Sequence, residues 1–252
     1  MKRSQLQVFD DMVSLSRAAA ELVATLAREP RPDGRPFSLA LCGGSTPQRL
    51  YRQLGQPPYS LTIPWGSVHI FWSDERCVPL DDPESNYGQA RELWLQHVPL
   101  APHQVHRIKG ELGGAEAAQD YAAELSAFAQ ATLAETAWPR FDLVLLGLGE
   151  DGHVASLFPG EPDPGETQQA ALAVRADYQG RPAERVTLTP VILNAAHHVV
   201  FLVAGEAKAP ALAASVRGRP DPARWPAQRI RPETGQLIWM ADRAAARLVE
   251  RQ

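Results

Sequence analysis

A chain of 252 residues, 44% of them hydrophobic, has the apolar content for one large α/β core or two small domains. Its 25 basic and 29 acidic residues nearly cancel, which argues against nucleic acid or an anionic membrane surface as the main partner. Two cysteines, Cys42 and Cys77, make neither a disulfide framework nor a zinc site.

The opening MKRSQLQVFDDMVS is basic but carries no apolar segment behind it, and no run approaches the roughly 18 apolar residues of a membrane span. A cytoplasmic globular protein is the expectation. Met12, Leu15, Ala19, Leu22 and Leu26 recur at alternating spacings of three and four, one apolar helix face. Asp10 or Asp11 fits its cap, and Pro30 lies beyond its end. Residues 31–36, RPDGRP, read as a turn.

Phe37–Cys42 is a short apolar strand running into GGSTP (43–47) and a helix through about Leu54. Thr46 fits the cap of that helix and Pro47 its first position, where a missing N–H costs nothing. A strand, a glycine-rich turn and a helix N-terminus together suit an anion, although an ordinary well-capped turn has the same grammar. Val68–Trp72 is the next buried strand, leading into Ser73-Asp74-Glu75-Arg76 and a polar loop over 77–86. Taken alone, those charges read as a solvated loop. A helix follows from about Ser85 to His97, and Tyr121, Leu125 and Phe128 mark another across roughly 115–136.

Phe141–Leu146 is an apolar run but for Asp142, as expected of a parallel strand buried on both faces. Gly147, Gly149, Glu150, Asp151 and His153 follow at once. In open α/β sheets ligands bind beyond the carboxyl ends of strands, so chemistry is expected on this loop. Residues 160–166 read as loop and RVTLT (185–189) as a strand, with Pro190 opening a short helix to Asn194. Val199–Val203 is another buried strand, and Lys208 falls near the first turn of the next helix. A cation there opposes the helix dipole unless an anion sits between them. Leu237–Met240 is the last strand, and Asp242 fits the cap of a closing helix. His197 and His198 adjoin a strand start and read as structural. Strands alternate with helices and no linker divides them. One domain over 1–252 is expected, with a single doubly wound, mostly parallel sheet flanked by helices.

The segments CGGSTP (42–47), SDER (73–76), PLDDPESN (79–86), GLGEDGH with SLFPG (147–160), RVTLT and the Gly205–Lys208 pair occur in the order seen in 6-phosphogluconolactonases, which this chain resembles over most of its length. The resemblance implies an α/β fold shared with glucosamine-6-phosphate deaminases and ribose-5-phosphate isomerases. It implies hydrolysis of 6-phospho-D-glucono-1,5-lactone in the oxidative pentose phosphate pathway, without metal or organic cofactor. His153 is then the general base and Asp151 the residue that orients it. Arg76 fits two roles, polarising the carbonyl or holding phosphate, and Asp74 joins the catalytic set. Gly44, Ser45, Thr46, Arg185 and Lys208 form the expected phosphate set. Two positions depart from the family pattern: Val154 replaces the usual threonine, and Cys42 stands where a small residue, often serine, is usual.

Two other readings share these motifs. A sugar-phosphate isomerase or deaminase would use Asp74 as a base at C2, but deaminases carry Asp-Glu-Tyr where this chain has Asp74-Glu75-Arg76. A non-catalytic sugar-phosphate sensor would need the phosphate residues but not His153, and no basic helix-turn-helix segment is visible. The expected partner is a small sugar phosphate, with no nucleic acid or membrane, acting on a monomer or small homo-oligomer.

Overall fold

The computed structural model describes residues 4–31, 33–132, 137–160 and 168–249. Strand β1 (Gln5–Phe9) leads into helix α1 (Met12–Arg28), which buries Leu15, Ala19, Ala20 and Val23 along one face. Of the two candidate caps it is Asp11 that serves, accepting from Ser14 N–H at 2.8 Å while Ser14 Oγ accepts from Asp11 N–H at 3.2 Å. Strand β2 (Phe37–Leu41) is buried at every position, as the apolar run requires when both sheet faces are covered. Helices α2 (Ser45–Leu54) and α3 (Tyr59–Thr62) precede β3 (Val68–Trp72) and β4 (Asp74–Arg76). Helices α4 (Asn86–Leu93) and α5 (Gly114–Ala131) then precede β5 (Leu143–Gly147), β6 (Ala171–Arg175) and β7 (Glu184–Leu188). The chain closes with α6 (Pro190–Ala195), β8 (His198–Val203), α7 (Ala209–Arg217), β9 (Gln236–Asp242) and α8 (Arg243–Ala246).

Six strands form one sheet in the order β1-β9-β8-β5-β2-β3, every neighbouring pair parallel. This is the doubly wound sheet expected. A second, three-stranded antiparallel sheet, β4-β7-β6, was not foreseen. The two join at Ser73, whose N–H donates to Leu41 O at 2.7 Å in the large sheet. Its carbonyl accepts from Leu188 N–H at 2.7 Å in the small one. One residue thus turns the chain out of β3 into β4 and makes a strand of what reads as a solvated loop. Helix α5 packs on β6 and β7, and its Tyr121 hydroxyl donates to Trp72 O at 2.8 Å and accepts from Trp72 N–H at 3.0 Å.

The expected helix over 85–97 ends at Leu93, because Trp94 leaves helical geometry (φ −148°) to stack on Tyr51 at 5.7 Å. Of the helix expected over 115–136, residues 133–136 lie outside the described residues, as do 161–166 of the expected loop. At the amino ends of β2 and β5, Arg35 grips Asp142 through two bonds of 2.7 and 2.8 Å, and Ser38 donates to the same carboxylate from N–H at 2.9 Å and Oγ at 3.0 Å. Burial alone would raise this carboxyl, but Arg35 and the Ser38 N–H outweigh it and hold Asp142 below the usual range. His198 Nδ1 lies 3.0 Å from Asp142 O, in the structural role expected at this end of the sheet. No helix among the described residues is long and apolar enough to cross a membrane.

Candidate active site

From β2 the chain crosses to β3 on one side of the sheet, and from β5 it crosses towards β8 on the other. The crevice beyond the carboxyl ends of such a strand pair is where α/β sheets receive ligands. Here the loops after β2 and β5, the ends of β4 and β7, the turn between β6 and β7 and the start of α7 enclose a cleft of about 160 Å³. Gly44, Ser45, Thr46, Asp74, Arg76, His153, Arg185 and Lys208 all line it, and Asp151 stands behind His153. Every residue expected from the sequence is therefore gathered at one place.

The loop after β5 folds back on itself at Gly149, where a Cβ would overlap His153 Nδ1 and Asp151 Oδ1. Gly149 N–H donates to His153 O at 2.9 Å and closes the loop. Asp151 Oδ1 then accepts from His153 N–H at 3.1 Å and lies 2.6 Å from His153 Nδ1. Burial would raise the Asp151 carboxyl, yet the hydrogen bonds and charge of His153 hold it below its ordinary value. An ionised carboxylate only accepts, so Nδ1 carries the proton, and in the neutral imidazole Nε2 is the acceptor. The imidazole is flanked by Phe158, with centroids 4.6 Å apart, and by Tyr178 at 4.7 Å and 76°. Val154 is fully buried in the core, so its departure from the family pattern does not alter the cleft wall.

Thr46 does not cap α2, contrary to expectation. The helix begins one residue earlier, at Ser45, with Gly44 as N-cap at φ +101°, a backbone that favours glycine over a hydroxyl-bearing cap. No side chain caps this end. First-turn N–H groups without a cap suit an anion. Lys208 is the N-cap of α7, where a cation opposes the helix dipole, and its Nζ lies 3.7 Å from Glu150 Oε1.

Strand alternation sends Asp74 and Arg76 to the cleft face of β4 and Glu75 to the other. Asp74 Oδ2 accepts from Ser156 Oγ at 2.8 Å, which ties the SLFP segment to β4. Glu75, a residue the sequence reading passed over, accepts from Asn86 N–H and Tyr87 N–H at 2.7 Å, Arg76 N–H at 2.8 Å and Ser85 Oγ at 3.2 Å. It anchors the start of α4 to the strand that carries Arg76. Burial pushes its carboxyl up to about 7 against those backbone N–H groups.

Arg76 and Arg185 are direct cross-strand partners in the β4–β7 pair, so their side chains share a face. Arg76 Nη1 donates to Glu84 O at 2.7 Å, and Arg185 Nε to Pro182 O at 3.0 Å, with the Arg185 guanidinium over the Phe158 ring. Arg76 Nε and Arg185 Nη2 are buried with no hydrogen-bond partner among the described residues. Buried N–H groups are normally satisfied, so this pair calls for an acceptor in the cleft. Burial lowers the pKa of Arg185; Asp74 draws it back up, and Arg76 and Arg181 press it further down. Cys42 lines the cleft as a neutral thiol, its pKa raised by burial and by the charge of Asp74. No group of three or more His, Cys, Asp and Glu among the described residues is placed to hold a metal ion.

By fold and site this is a parallel α/β protein with a cationic, histidine-bearing cleft at its sheet switch point. Comparison with known proteins is more specific. The sequence model of the glucosamine-6-phosphate isomerases/6-phosphogluconolactonase family matches residues 10–239, and the chain belongs to that family. A 6-phosphogluconolactonase of Synechocystis sp. is 41% identical over 209 residues, 82% of each chain. The solved 6-phosphogluconolactonase of Trypanosoma cruzi superposes with a TM-score of 0.84 at 27% identity, covering 97% of this chain and 96% of that one. A monomeric glucosamine-6-phosphate deaminase shares the fold, with a TM-score of 0.76 at 22% identity over 97% of this chain and 99% of that one.

Proposed function

We propose that the chain hydrolyses 6-phospho-D-glucono-1,5-lactone to 6-phospho-D-gluconate, a step of the oxidative pentose phosphate pathway. The observation that carries the reading is the Asp151–His153 pair at the sheet switch point, its free Nε2 in a cleft that also holds two under-bonded guanidiniums. His153 Nε2 takes a proton from water as the oxygen attacks C1 of the lactone. The imidazolium that forms keeps its Nδ1–H on the Asp151 carboxylate, so the new charge is neutralised where it arises. Collapse of the tetrahedral intermediate breaks the bond from C1 to the ring oxygen, and Nε2–H returns its proton to that oxygen. Arg185, Arg76, Lys208 and the uncapped start of α2 hold the phosphate in this reading. Asp74, fixed by Ser156, faces the cleft as an acceptor for sugar hydroxyls.

The substrate is a free sugar phosphate, and we place the protein in the cytoplasm with no call for nucleic acid or membrane. Purified protein should open freshly generated lactone faster than the spontaneous reaction, and His153→Ala should lower kcat by roughly 10²–10⁴ with little change in KM. Ammonia release from glucosamine 6-phosphate in place of lactone opening would assign the cleft to the deaminase branch instead.

A further inference from the structure

The loop joining β6 to β7 is a tight turn over Tyr178–Arg181. Arg181 N–H donates to Tyr178 O at 3.1 Å, and the two central residues have φ of +53° at Gln179 and +67° at Gly180. Two positive φ values in succession define the type I′ turn that matches strand twist, so the hairpin tip is stiff. Both of its flanks dock on the site. Arg181 Nη1 meets Glu84 Oε2 at 3.2 Å, on the loop that also holds Arg76. The Tyr178 ring stands edge-on to His153 at 4.7 Å and 76°, and also contacts Phe158 at 5.6 Å.

Asp151 fixes only one edge of the imidazole. A swing of the ring about the Nδ1 to Oδ1 bond would move Nε2 out of line with an attacking water. Phe158 blocks the movement on one side. Gly149 of the same loop backs the ring's Nδ1–Cε1 edge, and a third contact, from Tyr178, comes from the second sheet. We infer that the Tyr178 ring, delivered by the β6–β7 turn, is a positioning residue that fixes the plane of His153 and aims Nε2 into the cleft. This rests on the role of His153 as base in the proposed function. It gives the small sheet a second task beside presenting Arg76 and Arg185.

The ring does this work, so removal of the ring and removal of the hydroxyl must separate. In Tyr178→Ala, kcat should fall by about 10- to 100-fold, the scale for a small misplacement of a reacting group, with KM and inhibition by inorganic phosphate unchanged. Tyr178→Phe should restore kcat. The readout that a merely structural role would not move is the imidazole Nδ1–H proton of His153, assigned by its loss in His153→Ala and followed by NMR in the ligand-free enzyme. It should be protected from exchange in wild type and Tyr178→Phe, and broadened or lost in Tyr178→Ala. Wild-type kcat in Tyr178→Ala overturns the inference. So does a fall in kcat with the proton still protected, which would mean that Tyr178 contacts substrate, and so does equal impairment of the Phe variant, which would assign the effect to the hydroxyl. A wild-type enzyme inactive on the lactone would sink the proposed function, but the imidazole signal would still test this contact.

Discussion

Asp151→Asn tests how much of the catalytic pair is charge and how much is geometry. Both hydrogen bonds from His153, at 3.1 Å from N–H and 2.6 Å from Nδ1, fall on the same oxygen, Oδ1. An asparagine that keeps its amide oxygen in that place still accepts both, so the tautomer and the loop survive. What disappears is the negative charge beside an imidazole that becomes positive in the transition state. A hydrogen bond to a charged group contributes about 1.5–3 kcal/mol against about 0.5–1.5 for a neutral one, so loss of the charge alone costs about 1–1.5 kcal/mol, roughly 5- to 13-fold in kcat. KM should hardly move, because Asp151 lies behind His153 and off the cleft wall. Asp151→Ala removes the geometry as well and should approach the loss in His153→Ala. The assay is lactone opening at pH 7 on freshly generated substrate, followed by base uptake and corrected for spontaneous hydrolysis. An Asn variant with full kcat, or one as damaged as the Ala variant, would refute the division drawn here.

Glu75→Gln turns an amide N–H₂ towards the backbone donors of Asn86 and Tyr87, so above about pH 7, where the carboxyl is ionised, it should cost about 1.5–3 kcal/mol in urea unfolding; wild-type stability there would show that α4 does not depend on this anchor. Asp142 has its pKa held below the ordinary carboxyl value of 3.8, so its contribution is complete above that pH and is lost only as pH falls through the lower folded value. Asp142→Ala should therefore destabilise by about 3 kcal/mol at neutral pH, and melting curves of variant and wild type should converge below pH 3.8. Arg76 lies directly across from Arg185, so Arg76→Lys should raise KM and weaken inhibition by inorganic phosphate with kcat little changed. A fall in kcat with phosphate inhibition intact would move Arg76 to the carbonyl.

The large sheet was legible because its strands are buried on both faces, and Leu143–Leu146 or Val199–Val203 then admit no polar residue to blur the run. The site was legible for a related reason: glycines and titratable groups stand where an apolar strand stops. The small sheet was not. Asp74, Glu75 and Arg76 have poor strand propensity, and only the corner at Ser73 and the pairing with β7 make them one. β6 is a half-exposed edge strand, and β1, with the weakly alternating QLQVF, offers little more. Glu75 had a local clue, since a residue between two cleft residues on a strand must face away from the cleft. Tyr178 had only the Gln179-Gly180 turn signal; its contact with His153 joins residues from different sheets and leaves no mark at the level of spacing. Thr46 was misread because the glycine before Ser45 can take a backbone that ends capping one residue early.

The division of labour between the sheets bears on selectivity. In the proposed function the large sheet supplies the base, through the loop after β5, and the uncapped helix start, through the loop after β2. The small sheet supplies two guanidiniums at opposed positions, and it is attached to the large one through Ser73. The distance between the reacting carbon and the anion is thus set by a backbone corner rather than by flexible side chains. Side-by-side guanidiniums with buried, unbonded N–H groups destabilise the ligand-free protein, and a phosphate relieves both the repulsion and the missing acceptor. Binding of phosphate alone should then raise Tm, since a ligand that binds only the folded state stabilises it. An unphosphorylated lactone presents the same ester to His153 but leaves that cation pair unrelieved. A site built to bond a group rejects the analogue lacking it far more strongly than an apolar pocket rejects a missing methylene. On the proposed function, discrimination should therefore come from the end of the molecule that does not react, where binding energy would hold C1 against Nε2.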